Sequence, residues 1–363
     1  MSEYRIGVYA IALNEEKFVE RWFDSVKTAD HILLADTGST DNTFMLAKSL
    51  GIDVVKINVI PFRFDVARNT ALSLLPKSLD FCISLDLDEI VAGNWRSKFL
   101  DVRKDTTRLE YRFIHRWNSD GTPARSHVAS KIHSRHGYRW INPVHETLVA
   151  YQIPEVRQKN EIEIQHFPDD GKSRAGYLPL LEIACQENRD SSQLHFWLAR
   201  EYLIHGKNVD ANQCFHNFIQ NFPNAWGPEV AFAYMYLAQL ESEFERKFFY
   251  LHKSVEIAPY IREPWLKLSE LCMSVKDWKG CLSAAIKASE LRSKPEIYLL
   301  NSDVWTGPKC FDLIALASHF LGDHGTAIKF GEMALQLNSS DLRLQNNLKA
   351  YKRSSEFSEN RLR

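Results

Sequence analysis

The stretch Asp80–Val91, DFCISLDLDEIV, runs an apolar segment straight into a knot of acids. Phe81, Cys82, Ile83 and Leu85 read as a short buried strand bounded by polar residues, and Asp86, Asp88 and Glu89 crowd its end. Three like charges at one strand end repel one another. They are tolerable where a divalent cation neutralises them, and hard oxygen ligands with spare coordination suit Mg²⁺ or Mn²⁺ carried on a diphosphate. In an extended chain Asp86 and Asp88 point to the same side, so the D-x-D spacing offers two oxygens to one ion, or one to the ion and one to a sugar.

Upstream, the chain alternates strands and helices. YRIGVYAIAL (4–13) is a β-rich apolar run, and the next segment sets Phe18, Trp22, Phe23 and Val26 at helical spacing. HILLAD, then DTGSTDNT as turn and cap chemistry, then FMLAKSLG closed by Gly51, then DVVKINV complete a βαβαβ series. DVARNTALSLL is the helix before the acid-tipped strand. This order predicts a parallel sheet with crossover helices, whose ligands bind beyond the carboxyl ends of the strands.

That edge collects Asn14 and Glu15 after the first strand and Asp36, Thr37 and Gly38 after the second. Asp36 can accept hydrogen bonds from a base edge, Gly38 permits a close turn, and Ser39 or Thr40 with Asp41 can cap the next helix. Arg68 has two readings. Its guanidinium can meet a diphosphate bidentately, or it can pair with Asp65 one turn before it.

From about residue 103 the chain turns aromatic and basic. Alternation in LEYRFIHRW and EIEIQHF predicts antiparallel strands added to the sheet. Its arginines with Lys104 and Lys131, interleaved with Tyr111, Phe113, Trp117, Tyr138 and Trp140, read first as an amphipathic hairpin with a solvated basic face, and otherwise as a cradle for diphosphate and a sugar face or a platform that stacks the bases of a nucleic-acid acceptor. PDDGKSRAGY (168–177) is the joint. Beyond it, helical pairs recur about every 35 residues, with Trp197, Ala199 and Tyr202 facing Ala211, Phe215 and Phe218, and later Leu268, Ser269 and Cys272 facing Cys281, Ala285 and Ala288. These are hairpins of tetratricopeptide (TPR) type, which bury their apolar faces only by stacking. The expected domains are 1–172 and 177–355, an α/β unit followed by an all-α one.

A chain of 363 residues, 45% apolar, is long enough for two such cores. The net charge of −1 leaves no global basic field for nucleic acid or an anionic membrane. No basic-then-apolar leader and no run of about 20 apolar residues stands in the sequence, so the expectation is a soluble cytoplasmic protein without membrane contact. Six scattered cysteines without a CxxC pair read as reduced thiols, and His127, His133, His136 and His166 lack zinc spacing.

Five motifs in order, IALNEE, LLADTGSTDNT, FDVARNTAL, SLDLDE and VHETL, resemble the family 2 glycosyltransferases of GT-A fold (Rossmann-like nucleotide-diphospho-sugar transferases), especially those joined to TPR repeats. The resemblance implies a metal-dependent, inverting hexosyltransferase-type enzyme. Its donor is a nucleotide sugar, UDP-linked first of all, and its acceptor a peptide or protein, a hydroxylated DNA base or a glycan. Asn14 and Glu15 match the polar pair beside the nucleotide, Asp36 the acid near base and ribose, and Asp86 and Asp88 the metal- and diphosphate-holding pair. Thr37 stands where many members carry a second acid. His145 matches the late histidine that joins the metal, Mn²⁺ or Mg²⁺. Glu146 is the first candidate for general base, with Asp120 and Glu110 as rivals, and Asp88 joins it among the catalytic residues. The repeats would shape an acceptor groove or a homodimer contact. The alternative is an inactive TPR scaffold that only binds sugar nucleotides.

Overall fold

A computed structural model describes residues 4–118, 121–169 and 176–362. Asp120 and most of the joint at 170–175 lie outside the described residues. The chain divides into two compact units, Met1–Leu194 and His195–Arg363.

The first unit is built on an eight-stranded mixed sheet. Strands β1 (Ile6–Ala12), β2 (His31–Asp36), β3 (Asp53–Lys56) and β4 (Phe81–Ser84) run parallel in the order β3-β2-β1-β4. Helices α1 (Glu16–Val26), α2 (Thr43–Ser49) and α3 (Phe64–Leu74) make the crossovers. The core strands are apolar on both faces because helices cover both. Val8, Ala10 and Ile83 pack with Trp22 of α1, while Tyr9, Leu33 and Cys82 pack with Ala71 and Leu72 of α3.

Beyond β4 the order continues β7-β6-β10-β5, with β5 (Glu89–Val91), β6 (Arg108–Trp117), β7 (Pro123–Ser134) and β10 (Arg157–His166). β7 is antiparallel to β4 and β6, as the alternation predicts, but β10 lies parallel to β6 and antiparallel only to the short β5. The hairpin β8 (Tyr138–Ile141) and β9 (Thr147–Ala150) stands apart and carries the loop with His145 and Glu146. Helix α4 (Tyr177–Glu187) opens the helical stretch and falls within the first unit, which extends to Leu194.

Two local expectations change. Asp86–Glu89 is a turn, not an extended segment: Glu89 N–H donates to Asp86 O at 2.9 Å, and Asp86 N–H donates to the Glu89 carboxylate at 3.0 Å. Asp86 and Asp88 therefore do not share a side by strand alternation. The N-terminal end of α2 is held by Asp41, which accepts from Thr43 N–H at 3.0 Å, rather than by Ser39 or Thr40.

The second unit is helical hairpins: α5 (Ser192–Ile204) with α6 (Asn208–Asn221), α7 (Gly227–Leu240) with α8 (Phe244–Ile257), α9 (Arg262–Ser274) with α10 (Trp278–Glu290), then a short α11 (Ser302–Thr306), α12 (Lys309–Phe320) with α13 (His324–Leu337), and α14 (Leu342–Leu362). Ala199, Ala211, Phe215, Phe218, Leu268, Cys272, Cys281, Ala285 and Ala288 form one core, the pattern read from the sequence. Between α10 and α11 the segment Leu291–Asn301 departs from the repeat. Its Ile297 and Leu300 are buried in the same core.

Candidate functional site

At the carboxyl ends of β1 and β2 two loops are locked together. Asn14, at φ +55°, accepts from Thr40 N–H at 2.8 Å through Oδ1, and its own N–H donates to Ser39 Oγ at 3.0 Å. Glu15 N–H donates to Thr43 Oγ1 at 2.7 Å. Asn14 and Glu15 thus fix the TGST loop. A left-handed non-glycine residue at such a place is a backbone cost sustained by these bonds.

Asp36 ends β2 and is fully buried; its Oδ1 accepts from Ser39 N–H at 3.1 Å, and its Oδ2 has no hydrogen-bond partner among the described residues. An unsatisfied buried carboxylate oxygen at a strand end is costly unless a ligand completes it. Thr37 is spent otherwise, donating its hydroxyl to Ala12 O at 2.9 Å.

Next to this crevice lies a dense charge cluster. Arg68, 4% exposed, comes from the first turns of α3, and each of its three nitrogens meets a protein oxygen: Nε to Glu146 Oε1 at 2.5 Å, Nη1 to Ser84 Oγ at 3.2 Å, and Nη2 to Asp86 Oδ1 at 2.8 Å. Its plane lies over Trp140. Asp65, the rival partner in the sequence, pairs with Arg63 instead. Arg68 therefore ties the D-x-D turn to the VHE loop.

Lys131 enters from β7, with Nζ 3.5 Å from Asp86 Oδ2 and 3.6 Å from Glu89 Oε1. Burial alone would raise the Asp86 carboxyl, but Arg68 first and then Lys131 outweigh it and hold Asp86 well below the usual carboxylate range. Glu89 goes the other way: burial lifts it to about 7, Lys131 works against the rise, and Asp86 and Asp88 add to it. Two cations of the chain itself thus already face the acids at the end of β4.

Asp88 has a different partner from Asp86. Its Oδ2 lies 3.4 Å from His166 Nε2, and His166 Nδ1 donates to His115 O at 3.2 Å. A carbonyl only accepts, so Nδ1 carries the proton and Nε2 faces the carboxylate. A proton on Nε2 or a cation between the two groups must balance that contact. Imidazoles that bind metal commonly donate their other N–H to a carbonyl in this way. His145, at φ +49°, stacks on Tyr177 at 6.0 Å, and among the described residues no three His, Cys, Asp or Glu side chains stand close enough to hold a metal ion by themselves. The structure therefore gathers Asp36, Arg68, Asp86 and Glu146 into one region but does not assemble Asp86, Asp88 and His145 as a ligand set.

The residues fit a divalent ion that arrives with its nucleotide. Asp86, Glu89 and Glu146 meet Arg68 and Lys131 while Asp88 meets His166, so the chain's own cations already offset much of the charge and the fit to an ion rests on the carboxylate and imidazole at Asp88 and His166. A hard ion bound by one or two carboxylates and by substrate phosphates needs no complete protein cage. Asp88 with His166 is the pair best placed to hold it. His166 could not be found from spacing; it reaches Asp88 because β10 pairs with β5, setting His166 opposite Glu89.

No protein-family model matches the chain. Over 86 residues it is 35% identical to an uncharacterized glycosyltransferase of Rickettsia bellii; the match spans 23% of this chain and 28% of that protein's length. Among solved structures it is similar to MamA (12% identity, 47% of this chain and 85% of the other, TM-score 0.38). It is also similar to TTC0263, a thermophilic TPR protein of Thermus thermophilus (17% identity, 48% and 88%, TM-score 0.33), and to pilF of Pseudomonas aeruginosa (12% identity, 46% and 70%, TM-score 0.38). Among the described residues, no helix is long and apolar enough to cross a membrane.

Proposed function

We propose that the first unit is a metal-assisted, inverting glycosyltransferase domain that takes a sugar from a nucleotide donor, UDP-linked first of all. The observation that carries this reading is the charge cluster at the carboxyl end of β4, where Arg68 and Lys131 meet the D-x-D turn beside the unsatisfied oxygen of Asp36. The 86-residue similarity to a glycosyltransferase supports it.

In this reading Asp36 receives the base or ribose, and the TGST loop, fixed by Asn14 and Glu15, shapes the nucleotide's bed. Asp88 and His166 hold Mn²⁺ or Mg²⁺ with the donor diphosphate. When bound, that ion offsets the negative charge that builds on the departing diphosphate. Arg68 keeps Glu146 oriented through Oε1, which leaves Oε2 to take the acceptor proton, the role a single-displacement inversion requires of a carboxylate. The acceptor is a hydroxyl or thiol of a peptide, a hydroxylated base or a glycan, and the helical hairpins supply its docking surface or a contact with a second copy.

Incubation with UDP-, GDP- and dTDP-sugars and Mn²⁺, with mass spectrometry of peptide, DNA and glycan acceptors, tests the proposal. Donor hydrolysis or transfer that disappears in Asp88→Ala supports it. Absence of any donor binding by the intact protein overturns it.

A further inference from the structure

Arg68 is a poor place for an incoming phosphate, because each of its nitrogens already meets a protein oxygen. At 4% exposure, with Nε on Glu146 and Nη2 on Asp86, it offers a diphosphate little open surface. Lys131 differs. Its ammonium donates to Asp86 Oδ2 at 3.5 Å, a long hydrogen bond, and stands 3.6 Å from Glu89 Oε1, while Asp86 also accepts from Arg68 at 2.8 Å. Three donors are therefore held near two acids without being saturated by them.

The position is built. Ile83 of β4 pairs with Ile132 of β7, which brings Lys131 to the carboxyl end of β4 beside the D-x-D turn. Glu89, 3% exposed, spends Oε2 on Asp86 N–H and turns Oε1 toward Lys131. One carboxylate thus shapes the turn and anchors the ammonium. Lys131 keeps 31% of its side chain exposed.

We propose that Lys131 is a donor-phosphate residue whose ammonium contacts a diphosphate oxygen while Glu89, as its positioning residue, holds it in reach. A compact ammonium with spare donors suits a phosphate as a point charge. The inference rests on the nucleotide-donor reading and adds a residue that neither the D-x-D spacing nor the VHE motif points to.

The test is calorimetric titration of the full chain, in Mn²⁺, with UDP, GDP, UMP and GMP. Intact protein is expected to favour diphosphates over monophosphates. In Lys131→Met that preference should fall about ten-fold or more with monophosphate affinity nearly unchanged, in Glu89→Gln it should fall less, and Lys131→Arg should restore part of it. Equal loss of mono- and diphosphate binding, or no change in either, makes Lys131 a brace for the turn and overturns the proposal. No nucleotide binding by the intact protein removes the donor reading and this inference with it. Should Lys131→Met not fold, the double variant Lys131→Met/Glu89→Gln removes both charges together and reads the same ratio.

Discussion

Arg68 Nε donates to Glu146 Oε1 at 2.5 Å, joining positions 78 residues apart, while Nη2 of the same guanidinium holds Asp86 at 2.8 Å. One buried cation thus sets the distance between the proposed base and the D-x-D turn. A planar fork can do this because its donors diverge in fixed directions, which an ammonium cannot imitate.

Replacing Arg68 by Met should leave two acids facing each other without their shared partner. Breaking a buried pair from one side costs about 3–5 kcal/mol. The expected outcome is a lower thermal midpoint together with loss of donor turnover. Arg68→Lys should recover much of the midpoint but little of the turnover, since it cannot reach both carboxylates. Equal recovery of both would show that charge alone matters there.

Removal of divalent ions by chelation and dialysis should abolish donor hydrolysis, and Mn²⁺ or Mg²⁺ should restore it. His166→Ala should raise the Mn²⁺ concentration needed for half-restoration by about 10–100-fold, the range for loss of a group that holds or orients a metal ligand. His145→Ala should leave that requirement nearly unchanged, because His145 stacks on Tyr177 and joins no ligand set among the described residues. Metal titrations of the three proteins decide between the two histidines.

The parallel half of the fold was legible because its signals are local. Apolar runs of β1, β2 and β4 alternate with the helical periodicity of α1 and α3, and Gly51, at φ +81°, closes α2 as a glycine does. The strand ends where Asp36 and Asp86 sit follow from that order alone. What stayed hidden depends on pairing across long separations. The antiparallel register of β10 with β5 brings His166 to Asp88, and the antiparallel register of β7 with β4 brings Lys131 to Asp86, yet neither residue belongs to a spaced motif. The extended reading of Asp86–Asp88 failed because Glu89 closes a turn there with its own side chain, a tertiary use of a residue that looked like one more repelling acid.

His133 offers a pH test away from the cluster. Trp140 Nε1–H donates to Tyr9 Oη at 2.8 Å, Tyr9 Oη and His133 Nε2 share a hydrogen bond at 3.1 Å, and His133 Nδ1–H donates to Ser134 O at 2.8 Å, a chain of bonds that a neutral imidazole completes. Burial brings its pKa down to about 4; the Ser134 carbonyl opposes the shift, and Arg108 and Arg135 add to it. The unfolded histidine titrates near 6.5 and binds protons first, so the stability contributed here is present above about pH 6.5 and is lost as pH falls toward 4. At about 1.4 kcal/mol per pKa unit the loss is of order 3 kcal/mol. Urea unfolding at pH 7.0 and 4.5 should show it, and His133→Gln should lessen the pH dependence by a similar amount. An unchanged dependence in the variant would place the acid sensitivity elsewhere.

The segment between α10 and α11 makes the last prediction. Tyr298 stacks between Trp197 and Trp226, at 5.4 and 5.5 Å, and donates its hydroxyl to Glu229 Oε1 at 2.5 Å. Glu229 is 2% exposed, and its carboxyl is raised by burial while the Tyr298 bond and Arg200 pull it back. Tyr298→Phe keeps the ring stack and removes only the bond, leaving a buried carboxylate without this donor at a cost of about 1–3 kcal/mol. Tyr298→Ala should cost more, since the aromatic sandwich goes too. Glu229→Gln in the Tyr298→Phe background should return part of the loss, because an uncharged amide tolerates that site better. Chemical denaturation of the parent, Tyr298→Phe, Glu229→Gln and the double variant gives the coupling directly; a Tyr298→Phe variant as stable as the parent would mean that the hydroxyl, and with it the attachment of this segment to α7, contributes nothing to the second unit's stability.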